Sequence, residues 1–82
     1  MIRDFLYARR YLAPGLDSFW VWGDGSDVVT WRKGPTIAFR AEIPRGQSLR
    51  LHFSGHVVGP NGRRVSFLVE ETNLFTEQEA LR

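Results

Sequence analysis

The sequence predicts a mainly β fold of the α+β class, a small antiparallel barrel or sandwich of about five strands with a short helix at each end. Apolar and polar residues alternate over residues 36–43 and again over 49–57, which is the period of half-buried strands. Turn sequences rich in glycine, proline and aspartate separate these stretches. Because the chain has 82 residues and no linker or repeat, we expect a single domain over residues 1–82.

Residues 2–12, IRDFLYARRYL, predict the N-terminal helix. Their apolar residues recur at helical spacing, and the positions of Asp4 near the beginning and Arg9 near the end suit the helix dipole. Pro14 then ends the helix. A strand is the alternative interpretation, because the aromatic residues of this stretch also suit a sheet.

Residues 75–82, FTEQEALR, predict the C-terminal helix. Thr76 and Glu79 have the spacing of a capping box, in which each side chain bonds the other residue's backbone N–H. Phe75 before the cap and Ala80 within the helix have the spacing of a hydrophobic staple.

The strands are expected at residues 18–22, 28–31, 36–43, 49–58 and 63–71. The first two flank the turn GDGSD and predict a hairpin. The last two flank the turn GPNG and predict a second, longer hairpin. Gly55 interrupts the apolar row of its strand, which indicates a bulge or a bend there.

Composition excludes several kinds of site. The chain has no cysteine, so it has no disulfide, no thiolate metal site and no cysteine nucleophile. The formal net charge is +2, and the arginines are spread along the chain, so a concentrated basic stripe is not indicated. No apolar run reaches the roughly 18–20 residues of a membrane span. We therefore predict a cytoplasmic protein without a membrane partner.

The sequence predicts no enzyme. No nucleophile-elbow pattern surrounds any serine. His52 and His56 lie four residues apart on one predicted strand. That spacing separates them by roughly 13 Å, too far to share one ion. Asp24 and Asp27 flank glycine and serine in a predicted turn, where turn formation is the expected role. We predict no catalytic residue, no metal site and no cofactor.

Tryptophan and arginine suggest recognition, because these types are enriched at the energetic centres of interfaces. We predict as binding residues Trp20, Trp22, Trp31, Arg32, Arg40 and Arg50. Trp20 and Trp22 project from one face of a strand that is also apolar on its other face. Such a strand lies in the core or offers one face to a partner. We expect at least one tryptophan in the core, and a partner-facing role for at least one remains open.

These features predict a small binding module that acts through protein–protein interaction, as an adaptor or an inhibitor of a larger complex. The partner is another protein or a second copy of the chain, since an exposed strand edge accepts another strand. Small inhibitors that viruses and mobile elements encode to block a larger complex are built at this scale, so a phage or conflict-system origin fits. The alternatives are a carbohydrate-binding, β-sandwich-like module and a small barrel that binds single-stranded nucleic acid.

Two segments resemble known families. TIAFRAEIPRGQSLRLHF and the later GRRVSFLVE resemble the strand–turn–strand rhythm of bacterial galactose-binding-type β-sandwich domains, over fewer than half of the strands of such a sandwich. That resemblance implies a sandwich fold and binding of carbohydrate. VVTWRKGPTIAFR resembles adaptor proteins of bacterial conflict systems that accompany MoxR-type ATPases, and this likeness ends before the later strands. It implies an adaptor role.

Overall fold

The computed structural model describes residues 2–74 and 80–81, which form seven strands in two antiparallel sheets. The strands are β1 (Arg3–Leu12), β2 (Leu16–Gly23), β3 (Asp27–Lys33), β4 (Thr36–Pro44), β5 (Leu49–Val58), β6 (Arg64–Thr72) and β7 (Ala80–Leu81). Sheet A has the order β3-β4-β1-β7, and sheet B has the order β2-β5-β6. The predicted mainly β, antiparallel fold is confirmed, and the strands of the described residues do not close into a barrel.

The core lies between the two sheets and is built mainly by β4 and β5. Both strands alternate as their sequences predict, and every second residue is buried over residues 37–43 and 49–55. The buried apolar cluster contains Leu6, Ala13, Ile37, Phe39, Ala41, Ile43, Leu49, Leu51, Phe53 and Leu74. Within the described residues no polar or charged side chain is buried, so packing of apolar groups holds the sheets together.

The predicted N-terminal helix is wrong, because these residues form β1 and pair with β4. A register shift between Leu6 and Arg9 places an extra residue on β1. Leu6 pairs with Ala41 and Arg9 with Phe39, so two residues that face the same side are separated by three positions instead of two. The apolar residues that suggest a helix lie on both faces of this strand, since Leu6 is buried whereas Phe5 and Leu12 are exposed.

The predicted C-terminal helix is not seen. Residues 75–79, which contain its capping box, lie outside the described residues. Ala80 and Leu81, which the helix was expected to include, form β7 and pair with Leu6 and Phe5 of β1. Pairing with the edge of sheet A gives these two residues backbone partners without a helix.

The predicted hairpin of the first two strands is also wrong. A tight turn joins β2 to β3, but β2 pairs with β5 and β3 pairs with β4. Gly23 lies where the chain passes from one sheet to the other, and a Cβ there would lie 2.7 Å from Ile43 Cδ1 and 2.8 Å from the Ser48 carbonyl oxygen. The local turn sequence therefore predicts the reversal of the chain. It does not predict the pairing of β2 and β3, whose partners lie farther along the chain.

The second predicted hairpin is confirmed by the pairing of β5 with β6 from Arg50 and Thr72 to Val58 and Arg64. The irregularity expected at Gly55 lies on the neighbouring strand, where the register of β2 shifts between Leu16 and Ser18. A Cβ at Gly55 would overlap the Gly15 carbonyl group. Glycine at position 55 therefore permits the close approach of the two backbone segments.

Candidate functional site

Sheet B has one face toward the core and one toward solvent. On β5 the buried residues Leu49, Leu51 and Phe53 alternate with residues that point outward. Because directly paired residues share a face, the register places the tryptophans of β2 beside Arg50 and His52. We call this surface the tryptophan face, and it consists of Trp20, Trp22, Arg50, His52, Leu68 and Glu70.

Two cross-strand ring contacts order the tryptophan face. The rings of Trp20 and His52 are stacked, with centroids 5.1 Å apart and planes 3° from parallel. The guanidinium carbon of Arg50 lies 4.8 Å from the centroid of the Trp22 ring, within the range of a cation–π interaction. Each indole is thus held by the side chain directly opposite it on β5.

The charges of the tryptophan face are few. His52 Nδ1 lies 3.2 Å from Glu70 Oε1, so the imidazole contacts a carboxylate on one side and an indole on the other. Arg50 has no ion pair among the described residues. The face therefore combines two large aromatic rings with one cation available to a partner.

The expectation of a tryptophan in the core is wrong. Trp20 is 45% exposed, Trp22 is 51% exposed and Trp31 is 40% exposed. The opposite, core-facing side of β2 carries Phe19 and Val21, which pack on the cluster and are half-buried. On β2, the smaller apolar side chains thus pack on the core, and the larger indoles lie on the exposed face.

The six predicted binding residues do not form one site. Trp20, Trp22 and Arg50 meet on the tryptophan face. Trp31 and Arg40 lie on the outer face of sheet A, which belongs to the other sheet. Arg32 pairs in register with core residue Ile37, on the opposite side of β3 from Trp31, and its Nε donates to the Gly34 carbonyl at 3.3 Å.

The outer face of sheet A is a second aromatic surface and is more cationic. Trp31 and Arg10 flank Ala38 in register, and Ala38 is buried although it points outward. Lys33 and Arg40 lie on the same face. We call this surface the sheet A face, and it consists of Phe5, Tyr7, Arg10, Val29, Trp31, Lys33, Ala38 and Arg40.

Among the described residues, ion pairing leaves more cationic than acidic side chains without an ion-pair partner. Arg3 binds Glu42 and Asp27, Arg45 binds Asp4, and both histidines contact carboxylates. In the part of the chain that the structure describes, the cationic side chains without an ion pair are Arg10, Arg32, Lys33, Arg40, Arg50, Arg63 and Arg64. Asp24 is the described acidic side chain that has neither an ion pair nor a hydrogen bond. Among the described residues, unpaired cationic side chains therefore outnumber unpaired carboxylates.

Sequence reasoning missed His52, Leu68 and Glu70 as members of the tryptophan face. His52 and Arg50 are two residues apart on β5 and therefore lie on the same face. Alternation along this one strand was enough to predict that. Leu68, which is 61% exposed, lies between Phe67 and Val69, and both of these pack on the core. The pairing of Glu70 with His52 required the register of β5 and β6.

Other kinds of site are not found in residues 2–74 and 80–81. These residues contain no group of three or more metal-ligating side chains that could hold an ion. They also contain no helix with the length and apolar character needed to cross a membrane. The aromatic surfaces of the two sheets are the candidate sites of the described residues.

No protein-family model, curated protein or solved structure matches this chain. The resemblances to galactose-binding-type sandwiches and to conflict-system adaptors gain no support from these comparisons.

Proposed function

We propose that this protein is a non-enzymatic module that binds another protein through the tryptophan face. The observation that carries the proposal is the pair of exposed indoles held in place by cross-strand contacts. Trp20 stacks on His52, and Trp22 lies under the guanidinium of Arg50. Tryptophan and arginine are the types that contribute most at interface centres. Side chains ordered before binding also lose less entropy when a partner arrives.

The position of the indoles on an open sheet supports the same function. Trp20 and Trp22 expose large apolar surfaces beside the polar side chains of Arg50 and His52. Contiguous apolar surface bordered by polar residues is typical of interaction sites. The core does not need these rings, because Phe39 and its neighbours fill it without them.

Charge favours a protein over a nucleic acid on this face. The tryptophan face carries Arg50 and Glu70, besides His52, so its formal charges balance when the imidazole is neutral. Nucleic acid binding depends on several cations that neutralise phosphates. A protein surface can instead offer apolar side chains to the indoles and one carboxylate to Arg50.

Photo-crosslinking followed by affinity measurement tests this proposal. A photoreactive residue replacing Thr72, which pairs with Arg50, should capture the partner, and the same residue replacing Thr36 in sheet A is the positional control. With the purified partner, we expect Trp22→Ala to weaken binding by about tenfold or more. Trp31→Ala is the matched control and should leave the affinity within about twofold.

Two results would contradict the proposal. Equal binding by wild type and Trp22→Ala, at unchanged folding, would remove the tryptophan face from the interface. A glycan that perturbs the fluorescence of Trp20 and Trp22, with no protein captured at Thr72, would replace protein by carbohydrate as the ligand. Circular dichroism melts of each variant establish that the fold is retained.

A second candidate function, binding of single-stranded nucleic acid, is favoured by the sheet A face. Trp31 lies there near Arg10, Lys33 and Arg40, which have no ion pair among the described residues. Bases stack on aromatic rings while cations contact phosphates. With an oligothymidine probe, three phosphate contacts predict a slope of about −2 for log K against log salt. A flat salt response, or binding unchanged by Arg40→Ala, would dismiss this candidate.

A further inference from the structure

Two backbone hydrogen bonds show which residues of β5 bond to β2 and which bond to β6. The N–H of Asn73 donates to the Leu49 carbonyl at 3.0 Å, which continues the ladder between β5 and β6. Hydrogen-bonded pairs alternate along an antiparallel ladder, so odd-numbered residues of β5 bond to β6 and even-numbered residues bond to β2. The bond from the N–H of His56 to the Gly15 carbonyl agrees with this parity.

The same parity identifies the free edge of β2. Trp20 pairs with His52 and therefore directs its backbone groups toward β5. The N–H and C=O groups of Phe19 and Val21 point the other way, where no strand of the described residues pairs with β2. Gly23 continues this series, and Ser26 satisfies both of its groups.

The free edge is short and bounded at both ends. At one end Ser26 Oγ accepts from the Gly23 N–H at 3.1 Å and donates to its carbonyl at 2.6 Å. At the other end the register shift between Leu16 and Ser18 breaks the regular strand. Between them lie the unpaired groups of Phe19 and Val21, whose half-buried side chains leave the core partly open along this edge.

We infer that an extended acidic segment of the partner protein adds to β2 as a fourth strand of sheet B. This inference rests on the proposed protein-binding function of the tryptophan face. The added strand bonds to the backbone of Phe19 and Val21, which is the strand-addition mode of peptide recognition. Its outward side chains lie about 4.5–5.5 Å from those directly opposite on β2, so apolar residues there pack on the indoles.

Arg50 gives the added segment its charge preference. Its guanidinium lies over the Trp22 ring and is thus directed from β5 toward the free edge. A glutamate or aspartate beside Trp22 on the added strand can reach it and form a charge-assisted hydrogen bond.

A second copy of β2 fits this edge less well than an acidic segment. The sequence LDSFWVWG would bring tryptophans against tryptophans, and its single acidic residue, Asp17, already contacts His56 at 2.6 Å. Pairing of two copies would also bring two tryptophan faces together, each with the cation of Arg50, which is unpaired among the described residues. An acidic segment therefore provides the complementary charge that a second copy lacks.

The test uses a random decapeptide library displayed on phage as the probe. We expect the selected peptides to alternate apolar residues with Glu or Asp, and their binding to weaken by at least about tenfold in Val21→Pro. Proline removes the N–H that points to the free edge, where proline is tolerated in a strand. Val21→Thr keeps the N–H and the branched shape, so it is the matched control and should retain the affinity within about threefold.

Hydrogen exchange gives a second measurement that needs no variant. The amides of Phe19 and Val21 should exchange quickly in the free protein and become protected when the selected peptide binds. Peptides that depend on Trp22 but give no protection at these amides, and bind Val21→Pro normally, would overturn strand addition while the proposed function stands. Selected peptides that ignore Trp22→Ala would overturn the proposed function itself.

Two further outcomes would overturn the inference. A library that yields no binding peptide would show that the face does not take an extended linear segment. A dimer that dissociates in Val21→Pro, seen by light scattering over a concentration series, would make a second copy the occupant of the edge.

Discussion

The indole of Trp20 and the imidazole of His52 stack across β2 and β5 with their planes 3° apart, on the solvent side of sheet B. His52 also contacts Glu70 on the next strand, so one row of side chains crosses all three strands. Since this row lies outside the core, its order maintains a surface and contributes little to the interior. Side chains of this surface should therefore respond differently to truncation than side chains of the core.

Truncation of Trp20 should destabilise the protein far less than truncation of Phe39. Trp20→Ala loses a stacking contact at the surface, and we expect the free energy of unfolding to fall by about 0.5–1.5 kcal/mol. Phe39 is 0% exposed, and Phe39→Ala leaves a cavity that should cost about 3–5 kcal/mol. Urea unfolding measures both values. Equal losses would mean that the indole belongs to the core.

Gly55 should not tolerate alanine. A Cβ at this position overlaps the Gly15 carbonyl group, and backbone cannot move aside as a flexible side chain does. We expect Gly55→Ala to lower the free energy of unfolding by about 1–3 kcal/mol. Gly59 is the control, because its Cβ would meet its nearest neighbours at 3.5 Å and its φ is not positive. If thermal melts show that Gly59→Ala destabilises the protein more than Gly55→Ala, the close approach of Gly55 to the Gly15 carbonyl is refuted.

Arg3 and Glu42 should show a small, salt-sensitive coupling. Arg3 Nε lies 2.6 Å from Glu42 Oε1, and both side chains are partly exposed. A double-mutant cycle with Arg3→Met and Glu42→Gln should give a coupling of about 0.2–1 kcal/mol that decreases as salt is added. A coupling that is absent at low salt would show that the pair does not hold β1 to β4.

Ser26 should stabilise the turn between β2 and β3. Its hydroxyl bonds to both backbone groups of Gly23, so Ser26→Ala leaves the Gly23 N–H to water, while the Gly23 carbonyl keeps the bond from the Ser26 N–H. We expect a loss of about 0.5–1.5 kcal/mol in the free energy of unfolding. Hydrogen exchange should show faster exchange of the Gly23 amide in this variant than in wild type. An unchanged exchange rate would mean that Ser26 does not cap the edge of β2.

The sequence was sufficient for strands whose residues alternate regularly. The apolar rows of β4 and β5 predicted both the strands and their buried faces, because period-two burial leaves a local signal. In β1 that signal is absent, because the bulge between Leu6 and Arg9 interrupts the alternation and the apolar residues Phe5 and Leu12 are exposed. The separation of β2 from β3 was not predictable from their turn, since their partners lie far along the chain.

The candidate site was predictable only in part. Alternation placed Trp20 and Trp22 on one face, but it did not show which face of β2 lies outside, because both faces are apolar. Arg50 joined them through the register of β2 and β5, which the sequence does not specify. Trp31 has the same residue type and a similar exposure, and only the topology assigns it to the other sheet.

The indole N–H signals of the three tryptophans in an NMR titration test the central claim most directly. Single tryptophan substitutions assign the signals, and the partner captured by crosslinking at Thr72 is added stepwise to the labelled protein. Binding through the tryptophan face predicts that the signals of Trp20 and Trp22 shift or broaden while that of Trp31 stays in place. A titration that moves Trp31 alone, or none of the three signals, would contradict the account.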